Sequence, residues 1–139
     1  MADLDAIIVP VGGAGLIAGV ALAVKTLNPA IRVIGVEPKR CASFAAALEA
    51  GHPVPVDVAP TLADGLAVPC VGPHAFVIAR QHVDEVVQVD ESDAPLALSP
   101  SPSPSPSPNS NRLHAYVAAG PFATTAALAV PRVADAMAM

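Results

Sequence analysis

The hydrophobic positions of the first 90 residues alternate between short continuous runs and helical spacings. Residues 6–9 form a continuous apolar run that Pro10 ends, which predicts a buried parallel strand. Apolar residues then recur at spacings of three and four, which predicts an amphipathic helix that ends at Asn28-Pro29. The face expected to be buried comprises Leu16, Ile17, Val20, Ala21, Val24 and Leu27.

The same alternation continues downstream. Residues 32–36 predict a second strand, closed by Glu37-Pro38, which completes one βαβ unit. Residues 42–50 predict a helix that Gly51 ends, residues 73–81 predict another helix, and residues 83–90 predict a third strand. Strands that alternate with helices at this interval predict an α/β fold, a parallel sheet with flanking helices.

The pattern stops at Ser99, where five Ser-Pro dipeptides follow one another through residue 108. Such a segment has little to bury and favours an extended, polyproline-like chain. We therefore expect a partial domain over residues 1–94, a Ser-Pro-rich linker over 95–110 and a poorly ordered, Ala-rich tail over 111–139. A partial domain of this size is marginal by itself, so a chain that never folds stably is one alternative.

Charge and composition exclude several classes of partner. The net charge is −5 with only seven Lys plus Arg, which predicts no binding to nucleic acid or to an anionic membrane. No apolar run reaches the 18 residues of a membrane span, and no targeting segment precedes the first strand. Cys41 and Cys70 show no metal spacing, so we expect reduced thiols and a cytoplasmic protein.

A glycine turn lies between the first strand and the first helix. Gly12, Gly13 and Gly15 leave the backbone bare, so its N–H groups and the positive end of the helix can hold a phosphate. The spacing Gly13-x-Gly15-x-x-Ala18 also fits a dinucleotide-binding turn of the NAD(P) type, with Glu37 as the acidic residue that closes the next strand. A non-catalytic module for a phosphate-bearing ligand is a further alternative.

Four segments in order resemble the threonine dehydratase and serine racemase family, over about residues 3–94. They are Ile8-Val9-Pro10-Val11-Gly12-Gly13-Ala14-Gly15-Leu16, Val36-Glu37-Pro38, Leu62-Ala63-Asp64-Gly65-Leu66-Ala67-Val68 and Val83-Asp84-Glu85-Val86-Val87. These are pyridoxal-phosphate enzymes of the tryptophan-synthase-β-like fold (fold-type II). The resemblance implies that Gly12, Gly13, Ala14 and Gly15 hold the phosphate of pyridoxal 5'-phosphate and that Gly65 covers one face of its ring. Ala14 departs from the family's glycine, and its methyl group is tolerable only if its φ stays negative and the phosphate does not approach its Cβ.

The resemblance also implies a divalent cation at Glu37, Mg²⁺ or Ca²⁺, as in serine racemase-like members. The other ligands there are a carbonyl, at Cys41 here, and an aspartate, which is Ser43 here and supplies no charge. A solvated carboxylate at a strand end is the alternative role for Glu37.

Pyridoxal-phosphate chemistry also needs a Schiff-base lysine. Lys25 and Lys39 are the only lysines of the chain, and neither lies in the family's Ser-x-Lys setting. The resemblance places that lysine before the glycine turn and the ring-nitrogen partner after the last matched strand. We therefore expect a catalytically silent piece of an enzyme whose full-length relatives, as homo-oligomers, dehydrate threonine or serine or racemise serine.

Overall fold

A three-stranded parallel sheet forms the centre of the molecule. The structure is a computed structural model, and it describes residues 4–61 and 63–90 of the 139-residue chain. Strands β1 (Ala6–Pro10), β2 (Arg32–Pro38) and β3 (Glu85–Val89) pair in the order β1-β2-β3, and both pairs are parallel. This confirms the predicted α/β fold over the described residues.

Three helices and two short 3-10 turns connect the strands. Helix α1 (Gly15–Leu27) joins β1 to β2, and α2 (Ser43–Ala50) and α3 (Pro73–His82) follow β2. The 3-10 turns are Lys39–Cys41 and Asp64–Leu66. Every element predicted before residue 90 is present, and the ends differ from the prediction by one or two residues.

Pro10 belongs to β1 rather than ending it. The Val11 N–H donates to the Val36 carbonyl at 2.8 Å, so the neighbouring Pro10 nitrogen faces away from β2. A proline whose missing N–H lies on that side interrupts no bond of the β1–β2 ladder.

The buried face of α1 is only part of the one that the spacing predicted: Ile17, Ala21 and Val24 are buried as expected, and Ala18 joins them. Leu16, by contrast, is 51% and Leu27 74% exposed. A Cβ added at Gly35 of β2 would lie 2.8 Å from the Ile17 Cδ1 atom, so the bare glycine makes room for this side chain. Close approach to the sheet therefore favours the side of α1 that carries the small alanines over the edge that carries Leu16 and Leu27.

Helices α1 and α3 pack side by side against the same face of the sheet. Two consecutive right-handed crossovers in one direction along the sheet put both helices on the same side. Phe44 of α2 and Phe76 of α3 join this core in an edge-to-face contact, with ring centroids 6.4 Å apart.

The predicted linker over residues 95–110 and tail over 111–139 lie outside the described residues, as do residues 91–94. In the described part, none of the helices is both long and apolar enough to cross a membrane.

Candidate functional site

A cavity of about 150 Å³ lies at the carboxyl end of β1. Two segments that are distant along the chain form it: the glycine turn after β1 and the short turn that begins at Asp64. Its lining comprises Pro10, Gly12, Gly13, Ala14, Gly15, Leu16, Gly65 and Leu66. All five predicted cofactor-binding residues therefore line one cavity, at the sheet edge where ligands of open α/β folds bind.

Ala14 adopts the left-handed conformation, with φ 67° and ψ 1°. The condition that the sequence set for a tolerable methyl group, a negative φ, is not met. An L-residue other than glycine in this region carries a strain of roughly 1–2 kcal/mol. The surrounding structure holds it, since the Ala14 carbonyl accepts the Ala18 N–H at 3.0 Å in the first turn of α1.

Gly12 is required by packing rather than by its φ. A Cβ at Gly12 would lie 3.2 Å from the Val68 Cγ2 atom and 3.3 Å from the Leu66 Cα atom. The backbone of the 64–66 turn thus passes directly over Gly12, and this contact closes one side of the cavity. Nothing lies within 4 Å of a Cβ added at Gly15, so the two glycines serve different purposes.

The N-terminal end of α1 presents backbone donors to the cavity. The first N–H groups of a helix lack partners within it, and α1 has neither a side-chain cap nor an acidic residue in its first turn. The N–H groups of Gly13 and Ala14 have no backbone partner among the described residues. Such donors at the positive end of a 13-residue helix favour a bound anion, a phosphate above all.

The second wall of the cavity is held by backbone and thiol contacts. Leu66 donates its N–H to the Ala63 carbonyl at 2.8 Å, and Ala67 donates to the Asp64 carbonyl at 3.0 Å. The thiol of the buried Cys41 donates to the Val68 carbonyl at 3.2 Å, which ties the segment after the turn to the end of β2. Burial, and then the nearby charge of Glu37, raise the pKa of the Cys41 thiol, so this thiol stays protonated and able to donate.

Glu37 is fully buried, so the alternative role as a solvated carboxylate is wrong. Its two oxygens accept the backbone N–H groups of Phe44 at 3.0 Å and Ala45 at 2.8 Å, at the N-terminal end of α2. Burial raises the pKa of the Glu37 carboxyl, and the bonds from Ala45 and Phe44 offset only part of that increase. Glu37 therefore caps α2, a role that leaves it no reach to the ribose of a dinucleotide.

The metal expectation at Glu37 finds no support. In residues 4–61 and 63–90, no three His, Cys, Asp or Glu side chains come together as a metal ion would require. Ser43, which stands where the resemblance implies an aspartate, is a buried hydroxyl without a hydrogen-bond partner among those residues.

Both lysines are engaged in ion pairs. Lys25 lies in the last turn of α1, about 15 Å along the helix axis from Gly15 at a rise of 1.5 Å per residue. Its Nζ atom lies 2.7 Å from the Asp84 carboxylate and also donates to the Pro29 and Ile31 carbonyls. Lys39 pairs with Asp90 at 3.6 Å.

Burial alone would raise the pKa of Asp84. The hydrogen bonds from Lys25 and from the Val33 N–H, with the charges of Lys25 and Arg32, hold it below its usual value instead. Lys25 is thus part of an ionised pair at the opposite end of α1 from the cavity.

The roles of three residues around the cavity were not predicted from the sequence. Val68 packs on Gly12 and Gly13, and Gly72 donates its N–H to the Gly13 carbonyl at 3.2 Å. Glu37 was singled out as a ligand rather than as a helix cap. The contacts of Val68 and Gly72 join segments far apart in the chain, so local pattern carries no trace of them.

Comparisons with known proteins agree with this geometry. A sequence profile of the family described as pyridoxal-phosphate dependent enzyme matches residues 1–98. The chain is 44% identical over 91 residues to the L-threonine ammonia-lyase of Thermotoga maritima, covering 66% of this chain and 23% of that protein. It is 46% identical over 93 residues to the biosynthetic L-threonine dehydratase IlvA of Escherichia coli K12, covering 67% of this chain and 18% of that protein.

Solved structures give the same result. The processed threonine deaminase isoform 2 of Solanum lycopersicum matches with a TM-score of 0.65 and 41% identity, over 70% of this chain and 28% of that one. Maize serine racemase matches with a TM-score of 0.66 and 39% identity, over 70% of this chain and 30% of that one. The chain spans less than a third of each of these four proteins. By its family match, its relatives and its fold, the chain belongs to the pyridoxal-phosphate-dependent enzymes and is related to threonine dehydratases and serine racemases.

Proposed function

We propose that the cavity between the glycine turn and the 64–66 turn holds the phosphate of pyridoxal 5'-phosphate. One observation carries the proposal. The two segments that the resemblance assigns to the cofactor, Gly12–Gly15 and Gly65, line the same cavity although about fifty residues separate them. A glycine turn that bound nothing would need no second bare backbone segment opposite it.

The residues present suit the phosphate group. The N–H groups of Gly13 and Ala14 and the first turn of α1 supply donors, and no acidic side chain in that turn competes for them. The Gly65 peptide offers a flat surface without a side chain, on which an aromatic ring can lie. When bound, pyridoxal phosphate supplies an electron sink for reactions at the α-carbon of amino acids.

We further propose that this chain by itself holds the cofactor without turning over a substrate. A lysine that bonds the cofactor's aldehyde must lie beside it with a lowered pKa. Lys25 instead lies at the end of α1 that is far from the cavity, where it pairs with Asp84, and Lys39 pairs with Asp90. We infer that the complete enzyme would be a homo-oligomeric, cytoplasmic threonine or serine dehydratase, or a serine racemase, with this chain as its phosphate-binding part.

Binding and turnover are measured separately to test this proposal. The purified 139-residue chain is titrated with pyridoxal phosphate, with pyridoxal, which lacks the phosphate, and with NAD. We expect binding that requires the phosphate group, with pyridoxal and NAD both weaker. Equal binding of pyridoxal and pyridoxal phosphate would contradict the phosphate site, and tighter binding of NAD would favour a dinucleotide site.

The same samples are given L-threonine or L-serine, and 2-oxo acid release is followed. After borohydride reduction, peptides that contain Lys25 and Lys39 are weighed by mass spectrometry. We expect neither 2-oxo acid nor a stoichiometric adduct at either lysine. Turnover together with a reduced adduct at one of them would refute the silent-chain proposal while leaving the phosphate site intact.

A further inference from the structure

Helix α3 contacts the glycine turn from outside the cavity. Gly72, the residue that precedes α3, donates its N–H to the Gly13 carbonyl at 3.2 Å. Gly72 is not among the residues that line the cavity, so it does not touch a ligand there itself. Gly72 instead contacts the backbone of Gly13, which does line the cavity.

We infer that Gly72 is a positioning residue for the phosphate site: by holding the Gly13 carbonyl, it turns the Ala14 N–H toward the cavity. This inference rests on the proposed function. In a planar trans peptide the carbonyl and the following N–H point in opposite directions, and the described chain contains no cis peptide. A Gly13 carbonyl directed at α3 therefore sends the Ala14 N–H away from α3.

The strain at Ala14 makes this bond necessary in this chain. A half-turn of the peptide between Gly13 and Ala14 would change the φ of Ala14 from 67° to a negative value, which an alanine prefers. The same half-turn would present a carbonyl oxygen to the anion in place of an N–H donor. The methyl group of Ala14 thus favours the peptide orientation that repels phosphate, and the Gly72 N–H favours the one that binds it.

Two substitutions at Gly72 separate the N–H group from the side chain. Gly72 has φ −66° and ψ 136°, which proline can adopt; its Cδ replaces the amide hydrogen, so proline removes the bond and also forces the Gly13 oxygen, 3.2 Å from the nitrogen, to turn away. Alanine keeps the N–H, and its Cβ would lie 3.7 Å from the Gly13 oxygen and 3.8 Å from the Ala75 Cβ, which are ordinary contacts. Gly72→Ala is therefore the matched control for Gly72→Pro.

The full 139-residue chain and its variants are titrated with pyridoxal phosphate, inorganic phosphate and pyridoxal. We expect Gly72→Ala to bind like the wild type and Gly72→Pro to lose at least about ten-fold in affinity for the two phosphate-bearing probes, the loss typical of a hydrogen bond to a charged group. Binding of pyridoxal should not change. Adding Ala14→Gly to Gly72→Pro should restore part of the affinity, because glycine removes the bias toward the turned peptide; a merely structural role for Gly72 predicts no such rescue.

Equal phosphate affinities for Gly72→Pro and Gly72→Ala, or a double variant no better than Gly72→Pro, would overturn the inference and leave the proposed function standing. A wild-type chain that binds neither phosphate probe would overturn both.

Should Gly72→Pro fail to fold, the wild type alone decides by NMR during a phosphate titration. The Ala14 N–H resonance must then be among those that move most, while the Gly72 N–H stays protected from exchange. A stationary Ala14 resonance, or an unprotected Gly72 amide, would refute the positioning role.

Discussion

Gly12 and Gly15 lie in one turn, yet the structure predicts opposite consequences of adding a methyl group to each. At Gly12 the new Cβ would meet the Leu66 Cα atom at 3.3 Å and the Val68 Cγ2 atom at 3.2 Å, so its neighbours must move by a few tenths of an ångström. The Val68 side chain can adjust, but Leu66 presents backbone that is bonded through both its N–H and its carbonyl. At Gly15 the methyl group meets nothing within 4 Å.

The expected magnitudes follow from these contacts. Overpacking in a closed contact costs about 1–3 kcal/mol, and replacing glycine by alanine returns about 0.4–1 kcal/mol by restricting the unfolded chain. Gly12→Ala should therefore lower the free energy of unfolding by about 0–2.6 kcal/mol, which leaves it about 1–3 kcal/mol less stable than a variant in which the added methyl group meets nothing. Gly15→Ala, where only the second effect applies, should raise it by about 0.4–1 kcal/mol. Each kcal/mol corresponds to a Tm shift of about 4–8 °C in a domain of this size.

Urea and thermal unfolding of the full chain, followed by circular dichroism, measure both variants against the wild type. Equal dependence of the unfolding free energy on urea in all three confirms that the same surface is exposed on unfolding. A Gly12→Ala variant as stable as Gly15→Ala would refute the close contact between the two turns. A Gly15→Ala variant that lost as much stability as Gly12→Ala would show that the turn tolerates no side chain for another reason.

Three other predictions concern the frame of the site. Burial raises the pKa of Glu37 above 4.5, so the stability that this group contributes is present below pH 4.5 and is lost as pH rises through the folded-state pKa. The unfolding free energy of Glu37→Gln should therefore decline less than that of the wild type over that range, and parallel pH profiles of the two proteins would contradict this. Gly35→Ala should lower the free energy of unfolding by about 1–3 kcal/mol, because its Cβ meets the Ile17 Cδ1 atom at 2.8 Å. Adding Ile17→Val should recover part of that loss in a double-mutant cycle, whereas strictly additive losses would place the strain elsewhere. Lys25→Met should cost about 1–3 kcal/mol at neutral pH. Since the lowered pKa of Asp84 stabilises the fold above pH 3.8 and is lost as pH falls, this variant should also unfold at a higher pH in an acid titration; an unchanged acid midpoint would count against the pair.

Much of the fold could be predicted because the signals are local. A continuous apolar run, a proline and a glycine turn mark β1 and the start of α1, and Gly51 ends α2 with a φ of 81°, as a glycine after a helix often does. The predicted ends of elements were less accurate where hydrogen bonds to an adjacent element decide them. Strand β3 begins at Glu85 rather than Val83, because the Val83 N–H still bonds to Ala79 in α3.

Which stripe of α1 is buried could not be read from spacing alone. Leu16, Val20, Val24 and Leu27 recur at intervals of three and four, and so do Ile17, Ala21 and Val24, so two overlapping stripes satisfy the same period. The bare backbone at Gly35 decides between them, since it admits Ile17 and draws the alanine stripe onto the sheet.

The sequence by itself determined the residue types of the site: backbone without side chains at Gly12, Gly13, Gly15 and Gly65, with the positive end of a helix after the first three. These are properties of residue type and order, and each can be recognised from a few adjacent positions. Only the tertiary structure decided how the pieces act together. It brought Gly65 over the glycine turn and put Glu37 under α2 rather than in solvent or on a metal. It also held Ala14 in a conformation that alanine avoids, with the Gly13 carbonyl bonded to Gly72. The contacts of Gly65 and Gly72 with the glycine turn depend on backbone groups that meet across more than fifty residues, and no local pattern encodes a distance of that kind.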